Sequence, residues 1–137
     1  MNYLSLFALA AGAAIAIQAA MNAKLGVLLK SAMMGSSVAF FVSFVFAASA
    51  MVLWAMVFST KLYPQMADIK SVPVYLWFSG GALSAFGVGM FYYLIPKMGV
   101  GSMMSYALSG QILIAIVASH YGWFELPVKP KRGKPGD

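Results

Sequence analysis

The sequence holds no cysteine, three acidic residues and one histidine in 137 residues. Without cysteine there is neither a disulfide scaffold nor a thiolate metal site. With Asp68, Glu125 and Asp137 as its acids and His120 as its histidine, the chain offers no His/Asp/Glu cluster for a metal. It offers no Ser-His-Asp constellation either. No glycine-rich phosphate loop appears. These absences argue against an enzyme, and no cofactor is expected. Charge of either sign is scarce, at 9% of residues against about 25% in a soluble domain. Hydrophobic residues make up 62%, and mean hydropathy is +0.85. So little polar surface cannot cover a soluble globule, and so much apolar surface excludes a disordered chain. The net charge of +6 would suggest nucleic acid in a soluble protein. Here the basic residues are punctuation between apolar runs, so no nucleic-acid partner is expected.

What is there is four charge-free runs, over 1–23, 31–60, 71–96 and 98–124. About 20 apolar residues in helical form cross a hydrocarbon core of about 30 Å. In lipid every backbone N–H and C=O needs an internal partner, and the runs lack the alternation of barrel strands. The expected fold is therefore an all-α integral membrane protein in the lipid bilayer. Its four transmembrane helices are predicted at about 3–23, 36–59, 74–95 and 99–120. The first run has no basic n-region and three more spans follow it, so it reads as a retained helix rather than a signal peptide. Gly35-Ser36-Ser37 supplies cap-competent residues for the second helix. Tyr63-Pro64 and Val72-Pro73 bracket a loop. Ile95-Pro96-Lys97-Met98-Gly99 makes a short turn, which predicts antiparallel neighbours on either side. Gly122 can cap the last helix, with Tyr121, Trp123 and Phe124 as an interfacial belt. The chain thus divides into a membrane domain, 1–124, and a basic tail rich in proline and glycine, 125–137, expected to be disordered.

Basic residues in short loops set orientation. With four spans, the N-terminus, the 60–73 loop and the tail share one side and carry six Lys/Arg against three on the other. That places both termini in the cytoplasm. Without the tail the balance is two against three, so the body itself has almost no bias and insertion in both orientations is conceivable.

Membrane helices associate through small residues and interhelical hydrogen bonds. Ala8, Gly12, Ala16 and Ala20 form one stripe at i+4 spacing. Gly81, Ala85 and Gly89 form another, with Gly80 and Ser84 beside it, and Ser102, Tyr106 and Gly110 mark the fourth helix. Gly12, Gly80, Gly81, Gly89 and Gly110 are accordingly packing candidates. Static packing is the commoner use of such stripes, and a contact that slides during transport is the sharper one. The second helix carries aromatic residues on all sides, as lipid-facing bulk would. The eleven methionines serve as gap-filling core or line an adaptable pocket.

Polar side chains at membrane depth are the default functional candidates. Gln18 and Asn22 lie i, i+4 on one face of the first helix. Gln111 sits in the fourth between Ala107 and Ala115. All three are candidates for a substrate cavity. The rival reading makes them interhelical glue, worth about 0.6 kcal/mol each, and Asn22, near the boundary, leans that way. His120 suits a headgroup-level position. No Asp or Glu falls inside any span, and proton-coupled carriers generally place a carboxylate there.

Several segments together resemble the YdcZ-type family of bacterial inner-membrane exporters, within the drug/metabolite transporter superfamily. They are Gln18-Ala-Ala-Met-Asn22-Ala-Lys-Leu25, Trp77-Phe-Ser-Gly80-Gly81-Ala, Ile95-Pro96-Lys97-Met98-Gly99, Gly110-Gln111 and His120-Tyr-Gly122-Trp-Phe. The resemblance covers residues 1 to about 132 and lies in the joint order of these segments. It implies a half-size transporter, similar to one half of the EamA-like carriers. Such halves pair as homodimers or with a sister half-transporter. Gln18, Asn22, Gly80, Gly81, Gly110 and Gln111 stand at family-like positions. In two respects the chain departs from the family pattern. Ser119 precedes His120 where the family often has Asp, which removes a candidate carboxylate. Family members continue into a fifth helix, whereas here Pro127-Val-Lys-Pro130-Lys-Arg132 is followed by five residues.

The expected function is one part of a dimeric small-molecule exporter in the bacterial inner membrane, working by alternating access. The alternative is a non-transporting membrane subunit that assembles with or regulates a full-length partner. A four-helix multidrug antiporter is disfavoured, because that family needs a glutamate in its first helix.

Overall fold

The structure, a computed structural model, describes residues 2–58 and 66–125. Five α-helices and a short 3-10 turn account for nearly all of them. They are α1 (Tyr3–Leu28), α2 (Ala32–Phe58), α3 (Met66–Ser71), α4 (Val74–Met98) and α5 (Val100–Tyr121), with the turn at Trp123–Glu125. The four long helices are those with the length and composition to cross a membrane. This is the all-α, four-span architecture that the charge-free runs predict. The Tyr63-Pro64 break and the tail beyond Glu125 lie outside the described residues.

The helix ends differ from the sequence expectation by a turn or so, for local reasons. α1 starts where Asn2 Oδ1 accepts hydrogen bonds from the Ser5 N–H at 2.9 Å and the Ser5 hydroxyl at 3.0 Å, an N-cap. It runs through Lys24 to Leu28 instead of stopping at residue 23. An exposed lysine near a helix end can lay its stem along the apolar surface and reach the interface, so it need not end a span. α1 ends in a Schellman motif. Lys30 takes a positive φ of 59°, its N–H donates to the Val27 carbonyl, and the Ser31 N–H donates to the Gly26 carbonyl. Ser31 also opens α2, its hydroxyl accepting from the Met34 N–H at 3.1 Å. Gly35-Ser36-Ser37 is therefore not the start of α2.

The short α3, which the sequence reading does not anticipate, leads into α4 with Pro73 in extended geometry at the cap. α4 continues past Pro96 to Met98, where a break before Pro96 was expected. A proline near the end costs only the single N–H bond that would have reached the Tyr92 carbonyl. The true stop is Gly99, whose φ of 87° is open to glycine without strain. Gly122, with φ 62°, ends α5 as expected.

α1, α2 and α4 pack against one another as one compact unit, and α5 belongs to a second unit described by itself. In the first unit the buried residues are small: Ala19, Ala23 and Gly26 on α1, Gly35, Ser36 and Ala55 on α2, with Tyr92 and Ile95 from α4. The closest approach joins α1 and α2. A Cβ built on Gly35 would lie 2.9 Å from Gly26 Cα and 3.1 Å from Gly26 N, so the two backbones touch. Large apolar side chains, such as Phe7, Phe44, Phe46 and Phe86, lie on the outside. In water that would be unstable. In lipid it is the inside-out distribution expected, since tails solvate such surface as well as a core does.

Candidate functional site

The polar positions of α1 come together with a residue distant in sequence. Asn22 Nδ2 donates to Gln18 Oε1 at 2.7 Å and to the Tyr92 hydroxyl at 3.1 Å. The Tyr92 hydroxyl donates to the same Gln18 Oε1 at 3.1 Å. The result is a closed triangle of two amides and a phenol between α1 and α4. Its α1 side follows from helix geometry, since residues four apart share a face. Its α4 side depends on small neighbours. Ala19 and Ala23, both essentially buried, let α4 approach closely enough for Tyr92, 2% exposed, to bring its hydroxyl across. At 1.5 Å per residue, Gln18 lies about 15 Å and Asn22 about 9 Å from the C-terminal end of α1. In a helix of about 39 Å, the triangle thus spans from near mid-depth toward one end.

The triangle forms part of the wall of an open cleft of about 380 Å³ between α1, α2 and α4. α1 contributes Gln18, Asn22 and Leu25, α4 contributes Tyr92 and Val88, and α2 contributes Phe40 and Ser43 among others. This combination, a mainly apolar concavity with a few convergent polar groups, is typical of small-molecule sites. No charged side chain lines it among the described residues. A second concavity of about 340 Å³ lies nearer the α1–α2 turn, lined by Lys30, Ser31, Tyr93 and Pro96 among others. Beside it the Lys97 ammonium stands 4.9 Å from the Tyr93 ring centre, a cation–π contact at the end of α4.

Of the three candidate cavity residues, the structure brings Gln18 and Asn22 together in the cleft wall. Gln111 is exposed on α5, with no hydrogen-bond partner among the described residues. Tyr92 and Ser43 are the site residues that sequence reasoning missed. The only signal for Tyr92 was a hydroxyl-bearing residue inside a charge-free run, and it bonds across 70 and 74 positions of sequence, which no local pattern reveals. Among the packing candidates, Gly89 comes nearest another element of its unit: a Cβ built on it would lie 3.9 Å from the Ser36 hydroxyl. A Cβ on Gly12, Gly80, Gly81 or Gly110 would meet nothing within 4 Å among the described residues.

Neither a curated protein nor a solved structure is similar enough to the chain to match it. The family model described as "Putative inner membrane exporter, YdcZ" matches residues 3–134. The match runs through all four spans, the Gln18–Asn22 pair and Tyr92, and so the chain belongs to this YdcZ family of multi-pass proteins, named for export at the inner membrane.

Proposed function

We propose that the chain is one part of a dimeric small-molecule exporter, and that the cleft between α1, α2 and α4 is where its substrate binds. One observation carries this reading: the amide–phenol triangle of Gln18, Asn22 and Tyr92 exposes polar groups to an otherwise apolar cleft. Interhelical glue would need only one such bond, and here Gln18 is exposed and Asn22 half-buried beside the concavity, where polar side chains at membrane depth are the default candidates for a ligand site. Transport follows alternating access, with helices rocking about this depth. Gln111 is a second polar position, on α5, with an amide free to take a ligand.

The dimer reading, as a homodimer or with a sister half-transporter, rests on the open small-residue positions Gly12, Gly80, Gly81 and Gly110. Such surfaces let backbones of separate chains approach closely. Both termini are assigned to the cytoplasm from the balance of basic residues. The test is reconstitution of the full chain in proteoliposomes, alone and with any sister chain encoded beside it. The panel spans neutral amides, organic cations and carboxylates. Export activity that falls at least tenfold in Gln18→Leu supports the cleft. Full activity in that variant refutes it.

A further inference from the structure

The cleft's hydrogen-bonding capacity is largely spent on itself, and what is left over specifies a ligand. Asn22 Nδ2 donates to both Gln18 Oε1 and the Tyr92 hydroxyl. The Tyr92 hydroxyl donates to Gln18 Oε1, which thus accepts from two donors. An amide has two donor hydrogens and a two-lone-pair acceptor, and a phenol has one donor. The uncommitted groups are therefore Gln18 Nε2 as a donor and Asn22 Oδ1 as an acceptor. They stand one helical turn apart on the same face of α1. The Ser43 hydroxyl in the opposing α2 wall is also without a partner among the described residues. A donor and an acceptor on one helix face match a molecule that presents the reverse pair, as a carboxamide, lactam or urea does.

Charge points the same way. No charged side chain lines the cleft among the described residues. Lys24 is two residues beyond Asn22, about 200° around the helix, and so projects from a different face. No Asp or Glu falls within any span of the sequence, so a second copy of this chain brings no carboxylate at that depth either. An ion leaving water for this cleft would find dipoles but no counter-charge, and such burial is heavily penalised. The remaining walls, including Phe40, Leu25 and Val88, are apolar and suit a hydrocarbon or aromatic body.

We infer that the cleft selects uncharged molecules carrying an amide-type donor–acceptor pair on an apolar body, and discriminates against organic cations and carboxylates of the same size. This inference rests on the cleft being the ligand site of the proposed exporter, and it names that site's substrate class.

Three near-isosteric probes test it: benzamide, benzylammonium and benzoate. Binding of each to the full chain in nanodiscs of neutral lipid is titrated by ligand-observed NMR against empty nanodiscs. The expected result is a Kd for benzamide at least tenfold below those of both ions, raised at least tenfold by Gln18→Leu. Gln18→Glu, which adds a carboxylate to the wall, should shift the preference toward benzylammonium by at least tenfold. Because Gln18 is exposed, both substitutions act on its hydrogen bonds to Asn22 and Tyr92 without opening a cavity in the packing of α1. Equal or tighter binding of either ion to the wild-type chain overturns the substrate class. So does the absence of binding by all three. The transport role of the cleft is read separately, by flux through a chain whose cleft is blocked chemically. A failed class with a blocked flux leaves the cleft as the transport site, and an unblocked flux removes the cleft from transport.

Discussion

At Tyr92 a single hydroxyl accepts from Asn22 and donates to Gln18, so this phenol holds two amides of another helix in fixed orientation. Tyr92→Phe keeps the ring and its packing and removes only that oxygen. Hydrogen bonds between membrane helices contribute about 0.6 kcal/mol on average. Thermal or denaturant unfolding in detergent should therefore show a loss of about 0.5–1.5 kcal/mol. Ligand binding should weaken more than stability does, because the two amides are freed to turn. A variant as stable as wild type with unchanged binding would separate Tyr92 from the site. For Gln111, the matching change is Gln111→Leu, similar in volume but without the amide. If the amide serves the transported molecule, flux per folded protein falls at least tenfold while the fold persists. If flux is unchanged, Gln18 and Asn22 are left as the polar site. The Gln18–Asn22 pair was legible in the sequence because its members share a helix face. Tyr92 was not, because its partners lie across a helix contact that composition does not encode.

Among the elements, the α1–α2 hairpin is held by backbone contact at two glycines. Gly35→Ala would place a methyl carbon 2.9 Å from Gly26 Cα, closer than carbon atoms can stand. One helix must shift, at a cost of about 1–3 kcal/mol, and lost resistance to unfolding by added denaturing detergent is the measure. The turn itself carries the opposite opportunity. Lys30 holds φ 59° at the position where glycine is the usual occupant, and a side chain in that region costs about 1 kcal/mol. Lys30→Gly should therefore stabilise the hairpin by a few tenths to about 1 kcal/mol in the same assay. The existence of the four spans was plain from the charge-free runs, since a helix is the only open-ended way to pair a backbone in lipid. Their ends were not. Lys24 reads as a boundary by its charge and Pro96 by its ring, yet Lys24 lies just before the last turn of α1 and Pro96 in the last turn of α4, where a long side chain or a missing N–H costs little. The buried face of α1 was missed as well. Ala8, Gly12, Ala16 and Ala20 make the more regular stripe, while Ala19, Ala23 and Gly26 are the residues buried. Several small-residue faces on one helix look alike until a partner chooses among them.

For the whole molecule, association and orientation are each tested by one substitution series. Gly81 is on α4 with nothing among the described residues within 4 Å of a Cβ built there. Gly81→Leu should leave unfolding of the single chain within about 0.5 kcal/mol of wild type and lower the fraction of dimer in detergent. Unchanged oligomer size would take this face out of the interface. Orientation is read by cysteine labelling, for which the cysteine-free sequence provides a silent background. Cysteines at Ser5, Ser71 and Gly133 are expected to react from the cytoplasmic side. Equal labelling from both sides would show dual topology, and labelling of Gly133→Cys from outside alone would reverse the assignment.

The same background allows the cleft to be tested directly. Ser43 is exposed on α2 and lines the cleft, so Ser43→Cys puts one thiol in the whole protein. The measurement is flux in proteoliposomes of whichever panel solute the wild-type chain carries fastest, before and after complete modification with a bulky thiol reagent. If the cleft is the transport site, modification lowers flux through Ser43→Cys at least tenfold, saturating solute slows the modification, and wild type is untouched. Flux that persists at its full rate after every Ser43→Cys thiol has reacted would contradict the assignment of this cleft to transport.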